Sequence, residues 1–330
     1  MLRLSLNPYG LAFTVGLQGR GTSPANPRAV GLDGFIALVR ELKLSTIELD
    51  WRWITPLSRE ELLRLRDSLG GLRIIYSHWL AQEAGEGLID PIERAAALGA
   101  AILRLHLTPV LEGARARFGP RWGEMVDHAR RTLARDAPRA ADAGLVLAIE
   151  NHQDFGSEEL VALAEALGEH VGIVLDTGNP FAVGEDPVAF ARRAAHRIYH
   201  VHLKDYVAQF TNEGYRLVRC AIGDGCVPFD EIVAALEPHR IALAASIEPG
   251  ALESRHIRLF TVDWWQGYPP RTAAELGTML GRLRSKCLRD DADCRTPWER
   301  MAPPDDIVAY EMDQIHRSVE YVKAKRWIQA

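Results

Sequence analysis

The sequence predicts a single (β/α)8 barrel of the TIM-barrel class, and three observations lead to that prediction. Short apolar runs alternate with helix-length segments eight times along the 330 residues. Several runs are continuously apolar, such as Leu145–Ile149, which is typical of parallel strands buried on both faces. No G-x-G-x-x-G pattern follows the first strand candidate, which disfavours a dinucleotide-binding open sheet. Eight strand-helix units in order therefore favour a closed barrel.

The strand and helix candidates follow one another in the order that a barrel requires. Helical segments, such as Gly34–Leu42 and Ser157–Leu167, carry apolar residues at three- and four-residue spacing. Ser157 is a possible helix cap, and Asp186 before Pro187 is another. The predicted strands are Gly10–Gly16, Ser45–Leu49, Arg73–Ser77, Ala101–Leu107, Leu145–Glu150, Gly172–Asp176, Ile198–His202 and Ala242–Glu248.

Two segments depart from the simple repeat. Tyr206–Cys226 follows the seventh strand, and Ala251–Pro270, rich in aromatic residues, follows the eighth. Such segments usually shape a barrel's active site, although the aromatic residues could instead line a subunit interface. The tail is predicted to hold two helices around the loop Arg289–Asp306, which could pack on their own barrel or bind a second copy or an accessory subunit. We expect residues 1–250 to form the catalytic barrel and residues 251–330 to form an active-site loop and a C-terminal helical extension on the same domain.

Composition and charge argue against several classes of protein. The formal net charge is −5 and no dense Lys/Arg cluster occurs, so we expect no nucleic-acid partner. No apolar run approaches the ~20 residues that span a bilayer, and Met1–Tyr9 does not resemble a signal peptide, so we expect a cytoplasmic protein without membrane association. The four cysteines lack C-x-x-C spacing, which predicts thiols rather than disulfides or a structural zinc site.

Ionisable residues stand at or near the carboxyl ends of the predicted strands. Barrel enzymes carry their chemistry at these ends, so the side chains would converge on one mouth. Buried charges are costly unless they are paired or bound to a metal ion. The residues are Glu48, Asp50, His78, His106, Glu150, His152, Asp176, His202, Lys204, Asp205 and Glu248.

Four of these residues come from strands five to eight and together predict a metal site. Three carboxylates and one imidazole suit a hard or borderline divalent ion, such as Mn²⁺, Mg²⁺, Co²⁺ or Zn²⁺. Each residue alone has a structural explanation, as a helix cap or a core histidine. Their equivalent positions on successive strands favour one shared ion, bound by Glu150, Asp176, His202 and Glu248.

Four short motifs surround these residues: Ile149–His152, Leu175–Asn179, His200–Asp205 and Ser246–Pro249. They resemble the metal-binding strands of the sugar phosphate isomerase/epimerase superfamily, the xylose isomerase-like barrels. The resemblance covers roughly Leu2–Pro249 and is specific for the superfamily rather than for a substrate. It implies one divalent ion, which we expect to be Mn²⁺, and it implies that the two glutamates among the ligands, Glu150 and Glu248, also form the acid/base pair.

The resemblance also implies the type of reaction. Members of this superfamily remove a proton next to a carbonyl through a metal-stabilised enediolate, so we expect an isomerase or epimerase of a keto-sugar or sugar-acid derivative. A lyase of the same superfamily is the alternative: a dehydratase, a decarboxylase of a 3-oxo sugar acid, or a C-glycoside deglycosidase that uses a 3-keto sugar. A non-catalytic sugar-binding barrel is a third. The superfamily's three-zinc DNA-repair branch is disfavoured, because Asn179 stands where that branch has a ligand histidine.

Further residues are predicted to contact the carbohydrate substrate. His152 is a candidate additional acid/base group, or a hydrogen-bonding partner of a ligand. Lys204 could bind a substrate carboxylate or phosphate, or pair with an acid such as Asp205. Gly223-Asp224-Gly225 could bind phosphate or turn the chain, and turning is the simpler interpretation. Other expected substrate contacts are His78, His106, Glu48 and Arg219. The arginines of the long segments indicate a substrate larger or more anionic than a free hexose; they are Arg216, Arg219, Arg255 and Arg258.

Overall fold

The predicted fold class is confirmed: eight parallel strands close into a barrel. The computed structural model describes residues 2–18, 25–80, 87–238, 243–250, 253–325 and 327. Residue 242, where the sequence predicts the start of the last barrel strand, and residues 251–252 of the following segment lie outside them. The barrel strands are β1 (Leu2–Leu6), β2 (Thr46–Asp50), β3 (Arg73–Trp79), β4 (Ile102–His106), β5 (Val146–Glu150), β6 (Val171–Asp176), β7 (Ile198–Leu203) and β10 (Leu243–Ile247).

Helices lie between successive barrel strands, and several of them pack on the strands that they precede or follow. Asp186 is a helix cap as predicted, and its carboxylate accepts the backbone N–H groups of Val188 and Ala189. Ser157 is instead the first helical residue, and Gly156 occupies the cap position. The helices are α1 (Gly31–Glu41), α2 (Trp51–Ile54), α3 (Arg59–Leu69), α4 (Ile89–Leu98), α5 (Arg121–Asp142), α6 (Ser157–Ala166), α7 (Pro187–Ala194), α8 (Phe229–Leu236), α9 (Ala273–Ser285) and α10 (Pro304–Ala324).

The first strand is Leu2–Leu6, so the prediction of a strand at Gly10–Gly16 was wrong. Leucines alternate with Arg3 and Ser5 in this strand, a period-two pattern, and β1 pairs with both β10 and β2 to close the barrel. Gly10–Gly16 instead contains the end of a 3-10 helix, Pro8–Leu11, followed by turns. The reason is local, because proline removes a backbone donor and starts the helical turn directly after the strand.

Apolar side chains fill the barrel below its polar mouth. Side chains alternate along a strand, so residues two positions apart point to the same side. Ala148 precedes Glu150 by two positions, and Val174 precedes Asp176 in the same way. The buried cluster formed at this depth consists of Ile75, Ile102, Ala148, Val174 and Ala244. The polar side chains of the mouth therefore stand above a mainly apolar layer, which also contains Glu48, in register with Ile75, and His200, in register with Val174.

The segment after β7 forms a β-hairpin, which the sequence analysis did not predict. Strands β8 (Asp205–Thr211) and β9 (Gly214–Cys220) pair antiparallel, and β11 (Arg255–Ile257) adds to the other edge of β9. This three-stranded sheet begins two residues after the last residue of β7, Leu203. It therefore lies at the end of the barrel where the strand-end residues are found.

The tail contains two helices, as the sequence predicts, although α10 begins at Pro304, inside the predicted loop Arg289–Asp306. This helix packs on the segment after β1 and on β10 of its own chain. The carboxylate of Glu311 accepts hydrogen bonds from the backbone N–H groups of Phe13 (3.1 Å) and Thr14 (2.8 Å) and from the Thr14 hydroxyl (2.6 Å). Among the described residues, no helix has the length and apolar character needed to cross a bilayer.

Candidate metal centre

The four residues predicted to bind metal lie together at the mouth of the barrel. Each offers one ligand atom, these atoms lie within 4.8 Å of one another, and all four residues are buried. Glu150 and Asp176 end β5 and β6, His202 lies beside Asp176 in the next strand, and Glu248 directly follows β10. Parallel strands bring such positions together because their carboxyl ends meet at the same rim. We call these four residues the carboxylate cluster.

Two cations already contact the carboxylate cluster. The Nζ atom of Lys204 lies 2.6 Å from Asp176 Oδ2 and 2.6 Å from Glu248 Oε1. The guanidinium of Arg104 contacts Glu150 Oε2. Burial acts to raise the pKa of Glu248, but Lys204 and His202 outweigh it and hold that pKa below its ordinary value. Lys204 therefore pairs with acids, as one of the two predictions stated, but these acids are Asp176 and Glu248 rather than Asp205.

The donor set of the cluster fits a divalent cation. Carboxylate oxygens and one imidazole nitrogen are ligands that such ions accept. Glu150 Oε1 is buried and has no hydrogen-bond partner among the described residues, and such an unsatisfied atom is costly. His202 Nδ1 lies 2.9 Å from Glu248 Oε2 and 3.5 Å from Glu150 Oε1. These residues could therefore hold a metal ion, and nothing in their identity selects one metal.

Glu48, expected to contact substrate, is instead fully buried beneath His202. Both of its carboxylate oxygens lie 3.1 Å from His202 Nε2, and Ser246 Oγ donates to Glu48 Oε2 at 2.8 Å. Burial acts to lower the pKa of His202, but Glu48 and Glu248 outweigh it and raise the pKa to about 9. Four buried carboxylates thus stand against two cations, Lys204 and Arg104, so a divalent ion would balance the remaining charge when His202 is neutral.

A cavity of about 360 Å³ opens beside the carboxylate cluster. This volume lies within the range of roughly 300–1,000 Å³ that is usual for small-molecule sites. Glu150 and Glu248 line it, whereas Asp176 and His202 lie behind its wall. The cavity is also lined by the acid/base candidate His152 and by most of the predicted substrate contacts, namely His78, His106, Lys204 and Arg219. Glu48 is the one predicted substrate contact outside this lining.

Two histidines of the cavity form a close pair. The ring centroids of His106 and His152 lie 3.9 Å apart, and Trp79 stacks on His106 with centroids 5.9 Å apart. Burial lowers the pKa of His106 to about 3 and that of His78 to about 4. Burial likewise holds the pKa of His152 well below its ordinary value. At neutral pH these imidazoles are uncharged, and each can offer one donor and one acceptor to a polar ligand.

The sequence analysis missed several residues of the site. Asn7 Nδ2 donates to Glu248 Oε2 at 2.9 Å, and Asn7 follows β1, the strand that was misplaced. Arg104 lies two positions before His106 in β4, so alternation along that strand could have placed both in the mouth. Of the four arginines taken to indicate an anionic substrate, Arg219 and Arg255 line the cavity. The other two lie elsewhere: Arg216 reaches Cys294, and Arg258 pairs with Glu213.

The segment Gly223-Asp224-Gly225 forms a turn that is organised by Asp205. The backbone N–H groups of Gly223 and Gly225 each donate to Asp205 Oδ2 at 2.9 Å. Val227 N–H donates to the other oxygen of the same carboxylate at 3.1 Å. The amides that a phosphate would need are therefore already engaged, which agrees with the simpler interpretation of this segment.

Comparison with known proteins identifies the family. Residues 36–255 match the model of a family described as the xylose isomerase-like TIM barrel, and the matched part contains every strand that supplies the carboxylate cluster. This chain belongs to the xylose isomerase-like TIM barrel family.

Partial relatives of this family member are found among curated proteins. The rhizopine catabolism protein MocC of Rhizobium meliloti is 35% identical over 128 residues, which are 34% of this chain and 39% of that protein. An inosose dehydratase of Clostridium beijerinckii is 30% identical over 145 residues, which are 39% of this chain and 47% of that protein. The match therefore spans less than half the length of either relative.

Solved structures of the same fold cover more of the chain. The structure of L-ribulose 3-epimerase superimposes with a TM-score of 0.55 at 16% sequence identity and covers 98% of this chain and 96% of that one. The IOLI protein, crystallised with a zinc atom, gives a TM-score of 0.53 at 14% identity, covering 86% of this chain and 96% of that one. At these identities the likeness establishes the fold alone.

Proposed function

We propose that this chain is a divalent-metal-dependent enzyme that moves a proton at a carbon next to a carbonyl of a carbohydrate derivative. The observation that carries the proposal is the carboxylate cluster at the mouth of a family barrel, beside a cavity of about 360 Å³. A pure binding protein would gain little from so many buried charges, since each is costly unless it is paired or metal-bound.

In this proposal Glu150, Asp176, His202 and Glu248 hold the ion. We expect Mn²⁺, with Mg²⁺, Co²⁺ and Zn²⁺ as alternatives, because all accept oxygen and imidazole ligands. When bound, a divalent ion supplies a Lewis acid that stabilises negative charge on a carbonyl oxygen. Lys204 contacts Asp176 and Glu248, and Arg104 contacts Glu150, so cations already lie beside the three carboxylates of the cluster.

Proton transfer is assigned to the carboxylates that face the cavity. Glu150 and Glu248 both line it, and they come from different strands, so they can approach one carbon from two directions. Removal of a proton by one glutamate and its return by the other gives epimerisation, whereas return to the neighbouring carbon gives isomerisation. His152 is a third candidate, because its Nδ1 atom is buried without a hydrogen-bond partner among the described residues.

A dehydratase is the second candidate, and the curated relatives favour it. Inosose dehydratases of Clostridium are 29–34% identical to parts of this chain. A dehydratase of a keto-sugar begins with the same proton removal, after which a hydroxyl group leaves as water once it is protonated. The carboxylate cluster and the cavity serve this reaction equally well.

The test is solvent-deuterium incorporation with the Mn²⁺-loaded protein. A panel of ketoses, inososes and 3-oxo sugar acids is incubated in D₂O and followed by NMR and mass spectrometry. Deuterium next to a carbonyl without loss of mass supports an isomerase or epimerase, and loss of water supports a dehydratase. Glu248→Gln should abolish both outcomes, whereas Glu237→Gln on the exposed end of α8 should change neither. Turnover by Glu248→Gln equal to that of the wild type would contradict the role of Glu248 as a base.

A further inference from the structure

Arg219 is a buried cation that forms no ion pair within the part of the chain that the structure describes, although Glu248 and Glu253 act on it from a greater distance. Its side chain extends from β9 into the lining of the cavity, and only 4% of the residue is exposed. Its Nε and Nη1 atoms are buried and have no hydrogen-bond partner among the described residues. Two neighbouring arginines do have partners: Arg216 of β9 contacts Cys294, and Arg258, which directly follows β11, pairs with Glu213 and Asp263.

A second arginine stands beside Arg219 on the neighbouring strand. Arg255 of β11 pairs in register with Leu217 of β9, two positions before Arg219. Side chains two positions apart share a face of a sheet, so Arg219 and Arg255 lie on the same face as diagonal neighbours. Arg255 Nη1 contacts Glu253 at 2.7 Å, but its Nε atom is buried without a partner in the described chain. Both residues line the cavity.

The charges around the cavity leave Arg219 unmatched, whereas Arg255 has Glu253 as an acidic partner. Among the described residues that line it, three are acidic and five are arginine or lysine. Each acid already pairs with one of the other cations: Asp50 with Arg52, Glu150 with Arg104, and Glu248 with Lys204. A divalent ion in the carboxylate cluster would balance the two remaining buried carboxylates, Glu48 and Asp176. The guanidinium of Arg219 is therefore a positive charge that a neutral sugar would leave uncompensated.

We infer that the substrate of this cavity carries an anionic group, a carboxylate or a phosphate, which Arg219 binds with the help of Arg255. A guanidinium presents paired N–H donors that match two oxygens of either group, and a buried cation without such a partner is costly. The inference rests on the proposed function for the carbohydrate part of the substrate. It goes beyond that proposal because it separates acidic or phosphorylated sugars from free ketoses and neutral inososes.

Calorimetric titration of the Mn²⁺-loaded protein with matched probes tests this inference. D-gluconate is compared with D-glucitol for the carboxylate, and D-fructose 6-phosphate with D-fructose for the phosphate. We expect at least one anionic probe to bind about tenfold or more tightly than its neutral partner, which is the range of a charge-assisted hydrogen-bonded pair. The pair that shows the preference identifies the anionic group. If neither anion binds more tightly than its neutral partner, the inference is wrong.

Variants connect the preference to Arg219. Arg219→Met removes the guanidinium and should erase the preference, whereas Arg219→Lys keeps the charge and should retain part of it. Arg216→Met is the matched control, because Arg216 lies on the same strand outside the cavity lining. An equal loss in Arg216→Met and Arg219→Met would overturn the inference. If Arg219→Met does not fold, the inference is tested by the anion preference of the wild type and by its partial loss in Arg219→Lys.

The same titrations on metal-free protein separate this inference from the proposed function. Arg219 is not part of the carboxylate cluster, so the anion preference should persist when the protein binds no metal and turns over no substrate. If the protein shows the anion preference but cannot be loaded with Mn²⁺ and exchanges no deuterium, the proposed function alone is wrong. If the protein binds metal and exchanges deuterium but shows no anion preference, this inference alone is wrong.

Discussion

His202 has a different neighbour at each of its two ring nitrogens. Nε2 faces the carboxylate of Glu48, and Nδ1 faces Glu150 and Glu248. A carboxylate at one nitrogen favours a proton there and leaves the lone pair on the other, which is the arrangement that supports a metal-binding histidine. Glu48 is therefore better understood as a residue that positions His202 than as a substrate contact.

Replacing Glu48 by glutamine should weaken metal binding. The amide cannot impose the same proton position on His202, and loss of such a partner typically reduces metal affinity by about 10- to 100-fold. The measurement is the dissociation constant of Mn²⁺ by calorimetric titration. Ser77→Ala is the control, since its hydroxyl donates to Glu48 without touching His202, and it should change the affinity far less. A folded Glu48→Gln protein with wild-type affinity would contradict the positioning role.

Lys204→Met should destabilise the metal-free protein more than the metal-loaded one. Removal of the ammonium leaves Asp176 and Glu248 buried without their cation, and breaking such a pair costs about 3–5 kcal/mol. A bound divalent ion would supply the missing charge and reduce that cost. Thermal unfolding with EDTA and with Mn²⁺ gives the two values. An equal loss in both conditions would argue against a metal ion between these carboxylates.

At the scale of elements, the C-terminal helix holds the segment after β1 through one buried carboxylate. Burial raises the pKa of Glu311 to about 7, although the hydrogen bonds from Thr14 and Phe13 oppose that shift. Because the folded pKa lies above the ordinary value, the stability linked to Glu311 is fully present below about pH 4.5. It is lost as the pH rises through about 7. At about 1.4 kcal/mol per unit of pKa, the loss is at most about 3.5 kcal/mol.

Glu311→Gln should therefore flatten the dependence of stability on pH. The free energy of unfolding, measured in urea at about pH 5 and about pH 8, should fall between these values in the wild type. In the variant it should fall less, because the amide does not titrate. If wild type and variant lose the same amount, another group causes the pH dependence.

The strands that carry the carboxylate cluster were predictable because each is a mainly apolar run that is followed directly by a charged residue. Val146–Glu150 is a buried apolar run before a glutamate, and Val171–Asp176 repeats the pattern. The hairpin was missed because β9 mixes arginines with apolar residues and resembles a loop. The position of Glu48 was missed because Glu48 and Asp50 share one face of β2. Asp50 ends the strand and lines the cavity, whereas Glu48 lies two positions earlier and points below it. The sequence alone does not show how far below the mouth of the barrel a strand residue lies.

At the scale of the whole molecule, the barrel and its additions supply different parts of the site. The barrel brings the carboxylate cluster together, and the family match covers the strands that supply the cluster as well as the hairpin of β8 and β9. The three-stranded sheet contributes Arg219 and Arg255 to the same cavity. One fold hosts many reactions. We therefore expect the three-stranded sheet to determine which substrate binds, and the carboxylate cluster of the barrel to determine the reaction.

Metal content is the measurement that tests the central claim most directly. The purified protein is stripped with a chelator, reloaded with Mn²⁺, dialysed and analysed by inductively coupled plasma mass spectrometry. The account predicts about one ion per chain for the wild type and for Glu311→Gln, whose carboxylate lies outside the carboxylate cluster, and almost none for Asp176→Ala or His202→Ala. A wild-type protein that retains no divalent metal after reloading, or cluster variants that retain as much as the wild type, would contradict it.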